Sequence, residues 1–241
     1  MTTTVRSKPR GVAALDPPLR RLLGRTGAAA LALFAASVGT FAPDGAPPVD
    51  NASAEQIRDF LAQHQRDLQL NATAACAAVP LAIVFFSSLA RLLHSLGAVT
   101  RSHVVLIASV LAVLDLTFLT ATYSWLGFQD LAAVSGTTLT SWYAVSGISD
   151  NLSVITVGPK AMIMVAGSWT LLRARLISRT VCWVSLALAL VWAANLILLP
   201  LGTELWLPVH VGLFGWWLWP LALGIAMVVR WRRARPRPAR T

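Results

Sequence analysis

Six apolar stretches recur along the chain, and each is close to the length needed to cross a lipid bilayer. A hydrocarbon core of about 30 Å needs roughly 20 helical residues at 1.5 Å each. Because backbone groups in lipid must be hydrogen-bonded internally, helices are the structure that such stretches can form. The sequence therefore predicts an all-α polytopic membrane helix bundle with six transmembrane spans. The predicted spans are residues 26–42, 72–93, 103–125, 152–173, 181–200 and 208–230.

The chain is poor in charge for its length, which excludes a soluble globule. Charged residues make up 12% of its 241 residues, against about 25% in a typical soluble domain. The net charge of +10 would suit a nucleic-acid partner, but the basic residues lie at the ends of the spans and form no groove. We therefore expect membrane lipids around the chain and no nucleic acid as a partner.

The basic residues also predict the orientation. With both termini in the cytoplasm, all but three of the 20 lysines and arginines fall in cytoplasmic segments, as the positive-inside rule requires. The predicted location is the bacterial plasma (inner) membrane, and the oligomeric state stays open. The predicted domains are a basic cytoplasmic tail over 1–25, a six-span region over 26–230 and a second basic cytoplasmic tail over 231–241.

Residues 43–71 form a polar outer loop that carries one predicted amphipathic helix. Ser53 and Gln56 have the spacing of a capping box at its start. One face of this helix is apolar, so it either rests on the membrane surface or covers the bundle. A second, short interfacial helix is predicted within residues 126–151, ahead of span four. The apolar face consists of Ile57, Phe60, Leu61, His64 and Leu68.

Two ionisable side chains lie inside predicted spans. Asp115 is about twelve residues into span three and Lys160 about eight residues into span four, which puts them at roughly 15 Å and 12 Å from the outer face. An isolated charge there costs about 2.5–3.5 kcal/mol, which favours pairing or a water-filled cavity. The two residues are a candidate binding site. The alternatives are a structural salt bridge, a neutral Asp115, or Lys160 extended toward the interface.

The backbone beside Lys160 is predicted to be broken. Pro159 follows Gly158 inside span four, and a proline there removes a helical hydrogen bond and clashes with the preceding turn. A break would direct the first amide groups of the next half-helix toward the membrane interior, beside the lysine ammonium. This arrangement predicts a corner for an anion; an ordinary proline kink is the alternative. Thr156 lies on the same helical face as Lys160, one turn earlier.

Further polar and aromatic groups lie deep in spans five and six. Asn195 is one turn from Trp192, and Trp216 belongs to a tryptophan cluster beside Pro220. A buried indole needs a partner for its N–H group, so we expect some of these rings to face the bundle interior. Lipid-facing placement is the simpler interpretation for others. The candidate substrate-binding residues are Asp115, Thr156, Lys160, Trp192, Asn195 and Trp216.

No residue pattern predicts a cofactor or a metal. The four histidines lack the spacing of metal ligands, and neither a phosphate-binding glycine loop nor a nucleophile elbow is present. Cys76 and Cys182 fall near the starts of spans on opposite membrane faces, which excludes a disulfide between them. We therefore assign no catalytic residue and expect no cofactor and no metal.

Three segments carry a resemblance to other proteins. They are Asn51-Ala-Ser-Ala-Glu-Gln-Ile-Arg-Asp-Phe-Leu, the end of span two at Leu89-Ala-Arg-Leu-Leu, and the short loop before span five. That loop keeps Arg179 and Trp183 of a Pro-Arg-Trp-Leu-Gly-Trp pattern and departs from it at the other positions. Over most of its length the chain resembles an uncharacterised actinobacterial family of multi-pass membrane proteins, a domain of unknown function. The resemblance implies a fold and a compartment, and no activity.

Three functional hypotheses follow from the sequence. The first is binding or transport of a small anionic or amphipathic molecule at Asp115 and Lys160. The second is a membrane enzyme on a lipidic or isoprenoid substrate, such as a cyclase, with an intramembrane acid as proton donor and tryptophans that stabilise cations. The third is a structural or regulatory membrane subunit, which a co-purifying protein would indicate.

Overall fold

The computed structural model describes residues 15–38, 52–198 and 206–234. The described part is helical throughout apart from turns and short connections, and it contains no strand, so the predicted all-α class is confirmed. Side chains at 123, 146–155, 195–198 and 206–214 lie outside the description. The helices are α1 (Pro17–Val38), α2 (Ala54–Ser95), α3 (Val99–Phe128), α4 (Gly136–Ile155), α5 (Val157–Arg173), α6 (Arg179–Leu198) and α7 (Trp206–Arg233).

Three of these helices are long and apolar enough to cross a membrane. By length and composition they are α1, α2 and α3, among the residues that the structure describes. The described apolar part of α6, Arg179–Ala194, is shorter. The chain therefore has helices of the membrane-spanning kind. Six spans, cytoplasmic termini and the domain bounds stay predictions.

Six helices close into a ring. Helix α1 packs on α2, α2 on α3, α3 on α5, α5 on α6 and α6 on α7, and α7 returns to α1. Helix α4 lies outside the ring against α2 and α3. Helices α1 and α7 approach closely at Gly27 and Gly224: a Cβ atom added to Gly224 would lie 2.8 Å from Leu31 Cγ and 3.0 Å from the Gly27 carbonyl oxygen. The absent side chains are what permit this approach.

The predicted amphipathic helix is the first part of a much longer one. Helix α2 runs without interruption for 42 residues, so there is no separate helix before span two. Between residues 54 and 79 the chain has neither glycine nor proline, and its junction Asn71–Ala78 is rich in alanine, the strongest helix former. The predicted capping box is confirmed: the Gln56 amide donates to Ser53 Oγ at 3.2 Å, and the Ser53 amide donates to Gln56 Oε1 at 2.9 Å.

The apolar face of this first part packs against protein. Ile57, Leu61 and Leu68 form a second small core with three leucines, one from α3, one from the following loop and one from α4. Arg58 fixes that loop, because its Nε donates to the Leu131 carbonyl and its Nη2 to the Val134 carbonyl, both at 3.0 Å. The buried residues of this face therefore contact other parts of the chain, and its placement relative to a membrane stays a prediction. The three leucines are Leu126, Leu131 and Leu139.

Candidate functional site

The site begins at the break between α4 and α5. Helix α4 ends at Ile155 and α5 begins at Val157, so Pro159 is the third residue of α5. Ile155 stands four residues before Pro159. In a continuous helix the proline has no N–H group to donate to the Ile155 carbonyl, and its ring clashes with that carbonyl. In the first turn of α5, by contrast, a missing N–H costs nothing. The predicted break is confirmed, and Thr156 is the single residue between the two helices.

Asp115 and Lys160 form an ion pair between α3 and α5. Lys160 Nζ lies 2.6 Å from Asp115 Oδ2. Thr156 Oγ1 donates a second hydrogen bond to the same oxygen at 3.2 Å. Asp115 is 6% exposed, Lys160 4% and Thr156 3%, so the three groups are withdrawn from the surroundings together. Each partner therefore neutralises the other within the bundle.

Two tryptophans surround the ammonium group. Lys160 Nζ lies 5.6 Å from the ring centroid of Trp192 and 5.9 Å from that of Trp216. Both distances fall within the about 6 Å over which an aromatic face attracts a cation. The charge of Lys160 thus has one carboxylate and two π-faces as neighbours. The expectation that some deep tryptophans face the interior is confirmed for Trp192, which is 3% exposed.

Trp219 lies in the interior of the helix ring and packs against Trp216. It is almost fully buried, and its indole N–H donates to Ser168 Oγ on α5 at 3.4 Å. Its ring stacks on Trp216 at 5.9 Å between centroids and meets Phe85 edge-on at 5.8 Å. Because α2, α5 and α7 all contact this one indole, the interior is packed here.

A cavity of about 70 Å³ adjoins the ion pair. Its volume is several times the ~10–15 Å³ that one water molecule needs. Its polar groups are Ser37, Asp115 and Lys160, and the remaining wall is apolar. A small molecule with one charged or polar end and an apolar body would match this lining. The apolar wall consists of Leu33, Ala82, Phe86, Ala112, Leu116, Leu119, Trp216, Trp217 and Pro220.

The structure brings together five of the six predicted binding residues. Asp115, Thr156, Lys160, Trp192 and Trp216 meet through the contacts above, whereas the side chain of the sixth, Asn195, lies outside the described residues.

Ser37 and Phe86 are among the lining residues that sequence reasoning missed. Ser37 is a polar residue that is 4% exposed in α1, and its place on the buried face of that helix was the available signal. Phe86 stacks on Trp216 at 6.0 Å, but a phenylalanine in an apolar stretch carries no such signal.

The two charges of the pair depend on each other for stability. Replacing a buried ion pair by apolar residues is often neutral for stability, whereas removing one partner costs about 3–5 kcal/mol because an uncompensated charge is left behind.

The described residues contain no group of three or more His, Cys, Asp or Glu side chains placed to hold a metal ion. Cys182 is buried and Cys76 exposed, and both are free thiols. Among the described side chains at the cavity and the ion pair, the polar groups are one carboxylate, one ammonium, hydroxyl groups and indoles.

The described part of the chain is therefore an all-helical protein with three helices that are long and apolar enough to cross a membrane and with a buried ion pair in its interior. The sequence matches no protein-family profile, no curated protein and no solved structure.

Proposed function

We propose that the chain is a six-span plasma-membrane protein whose intramembrane cavity binds or transports a small anionic or amphipathic molecule. Both termini lie in the cytoplasm, which agrees with the distribution of basic residues. The resemblance to the multi-pass membrane family belongs to this proposal and adds no activity to it. The observation that carries the proposal is the Asp115–Lys160 pair in the wall of a cavity that is otherwise mainly apolar.

An anion is favoured because Lys160 is the cation at the cavity wall. Its ammonium already has the carboxylate as a partner, but that partner can be exchanged for the anionic group of a ligand. The apolar wall then receives the remainder of the molecule, as in most ligand pockets.

The hydrogen-bond pattern favours binding over the cyclase hypothesis. Asp115 Oδ2 accepts hydrogen bonds from Lys160 and Thr156. A charged ligand that takes the place of one partner of this pair uses contacts that are already present, whereas a cyclase would also need a proton on the acid in its resting state. The tryptophans around Lys160 then serve its ammonium group, and no carbocation is needed to explain them.

The test uses the full chain in lipid nanodiscs and three probes of equal apolar length. They are hexanesulfonate, 1-hexanol and hexyltrimethylammonium, which are anionic, neutral and cationic. Tryptophan fluorescence reports binding, since two indoles border the pair. We expect saturable binding of the sulfonate above the background of empty nanodiscs, and its loss in Lys160→Met.

Arg66→Met is the matched control, because it removes a cation from an exposed position of α2. It should bind hexanesulfonate as the unmodified chain does. Equal responses to all three probes, or unchanged sulfonate binding in Lys160→Met, would refute the proposal.

A further inference from the structure

We infer that one proton enters the site with each anion, and that Asp115 accepts it and thereby releases Lys160. This inference rests on the proposed function and states how its ligand would be coupled. It predicts that an anion is bound, and in a transporter carried, together with a proton.

The first step is the geometry of the lysine. Its ammonium contacts the carboxylate at 2.6 Å, and its other two described neighbours are the faces of Trp192 and Trp216. Indole faces attract a cation but offer no oxygen to accept a hydrogen bond. An anion that binds Lys160 therefore competes with Asp115 for the same ammonium group.

The second step is the charge balance. Before binding, the ammonium and the carboxylate sum to zero. An anion without a proton would leave one negative charge uncompensated in the bundle, which a low-dielectric interior disfavours. If hydronium or a buffer acid in the aqueous phase loses a proton and Asp115 forms an O–H bond with it, the carboxylic acid is neutral and the ammonium pairs with the anion. The donor leaves as water or buffer base, and the charges in the site again sum to zero.

Thr156 fits both states of the carboxyl group. Its hydroxyl donates to Asp115 Oδ2 at 3.2 Å in the pair. A hydroxyl can also accept, so after protonation the Asp115 O–H can donate to Thr156 Oγ1 once the hydroxyl turns. The buried acid then keeps a hydrogen-bond partner after Lys160 has moved to the anion.

Lys160 is the cation that the structure shows paired with Asp115. Asp115 lies in the wall of the cavity, so the proton is assigned to this carboxylate. The other charged, histidine and cysteine side chains described on the packed helices are Arg20, Arg21 and Arg25 on α1, Glu55, Arg58, Asp59, His64, Arg66, Asp67, Cys76, Arg91 and His94 on α2, Arg101 and His103 on α3, Arg173 on α5, Arg179 and Cys182 on α6, and Arg230, Arg232 and Arg233 on α7.

The experiment measures proton uptake directly. Hexanesulfonate is titrated calorimetrically into the full chain in nanodiscs, in two buffers with different ionisation enthalpies. A sulfonate stays ionised throughout, so any proton taken up goes to the protein. We expect close to one proton per anion at neutral pH. The affinity should fall about tenfold for each unit of rising pH where the free site is unprotonated and the complex is protonated.

Asp115→Asn is the decisive variant, because asparagine resembles the protonated acid in shape and charge. It should bind hexanesulfonate with no proton uptake and no dependence on pH. Asp67→Asn, an exposed site on α2, should behave as the unmodified chain. Thr156→Val should weaken sulfonate binding and leave the proton count near one.

Three outcomes would overturn the inference. Sulfonate binding with no proton uptake refutes the coupling and leaves the proposed function standing. An affinity for hexyltrimethylammonium that rises with pH would show that a cation replaces Lys160 at the carboxylate, and would overturn the assignment of an anion. No binding of hexanesulfonate at any pH would overturn the proposed function and the inference together.

Discussion

The Asp115–Lys160 pair should stabilise the fold only as a unit. Asp115→Asn leaves an ammonium group that is 4% exposed without its counter-charge, and removal of one partner of such a pair costs about 3–5 kcal/mol. Lys160→Met leaves the carboxylate without its ammonium partner and also loses two cation–π contacts, each about 0.5–2 kcal/mol. We therefore expect both single variants to be destabilised, and Lys160→Met the more strongly.

The double variant Asp115→Asn/Lys160→Met carries no buried charge in the pair and should return to within about 1–2 kcal/mol of the unmodified chain. Thermal unfolding in detergent measures the effect. A loss of 3–5 kcal/mol lowers the Tm of a chain of this size by roughly 6–20 °C. The four proteins form a double-mutant cycle, which isolates the interaction between the two side chains.

Additive losses would refute this reasoning. If the decrease in Tm of the double variant equals the sum of the decreases in the two single variants, the two charges do not compensate each other. The exposed pair of changes Asp67→Asn/Arg66→Met on α2 is the control, and we expect its Tm to stay close to that of the unmodified chain.

Three other parts of the structure give further predictions. Gly224→Val should separate α1 from α7, since its Cβ would lie 2.8 Å from Leu31 Cγ; overpacking of this kind costs about 1–3 kcal/mol, read as a lower Tm. Arg58→Met removes two hydrogen bonds to loop carbonyls, so amide hydrogen exchange over residues 129–135 should accelerate. Pro159→Ala restores an N–H group for the Ile155 carbonyl, which should join α4 to α5 and weaken hexanesulfonate binding by about 1 kcal/mol, roughly fivefold.

Each of these variants has a matched control. Ala187→Val places a valine at an exposed position of α6, Arg66→Met removes an exposed arginine of α2, and Pro18→Ala changes an exposed proline in the first turn of α1. A Tm of Gly224→Val equal to that of Ala187→Val would contradict the close approach of α1 and α7. Unchanged exchange in Arg58→Met, or unchanged affinity in Pro159→Ala, would contradict the role given to that residue.

The centre of the site was predictable because single residues carried the information. A lysine and an aspartate stand out in apolar stretches, and helical rise alone put them at similar depths. Pro159 also predicted the break on its own, because a proline inside a helix removes a backbone hydrogen bond and clashes with the preceding turn. The position of the break at Thr156 also follows, because the carbonyl four residues before Pro159 belongs to Ile155.

The surroundings of the site depend on which helices become neighbours, and that is a property of the whole bundle. Nothing local to Ser37 or Phe86 indicates that α1 and α2 border the cavity beside Lys160. The continuity of α2 was missed for another reason: the change from polar to apolar residues near Asn71 resembles a boundary between two helices. The helix propensity stays high through the change from polar to apolar residues, because the alanine-rich sequence there favours a continuous helix.

Helix α2 therefore makes one rod of two regions that the sequence suggested were separate. Ile57, in the small core with α3 and α4, and Phe86, in the cavity wall, are roughly 44 Å apart at 1.5 Å per residue and lie on the same helix. Pro80 stands between them and removes one backbone hydrogen bond, the usual place for a helix to bend. One continuous backbone therefore joins the small core under Arg58 to the wall of the cavity, and Pro80 is the one position between them where that backbone has no N–H group to donate.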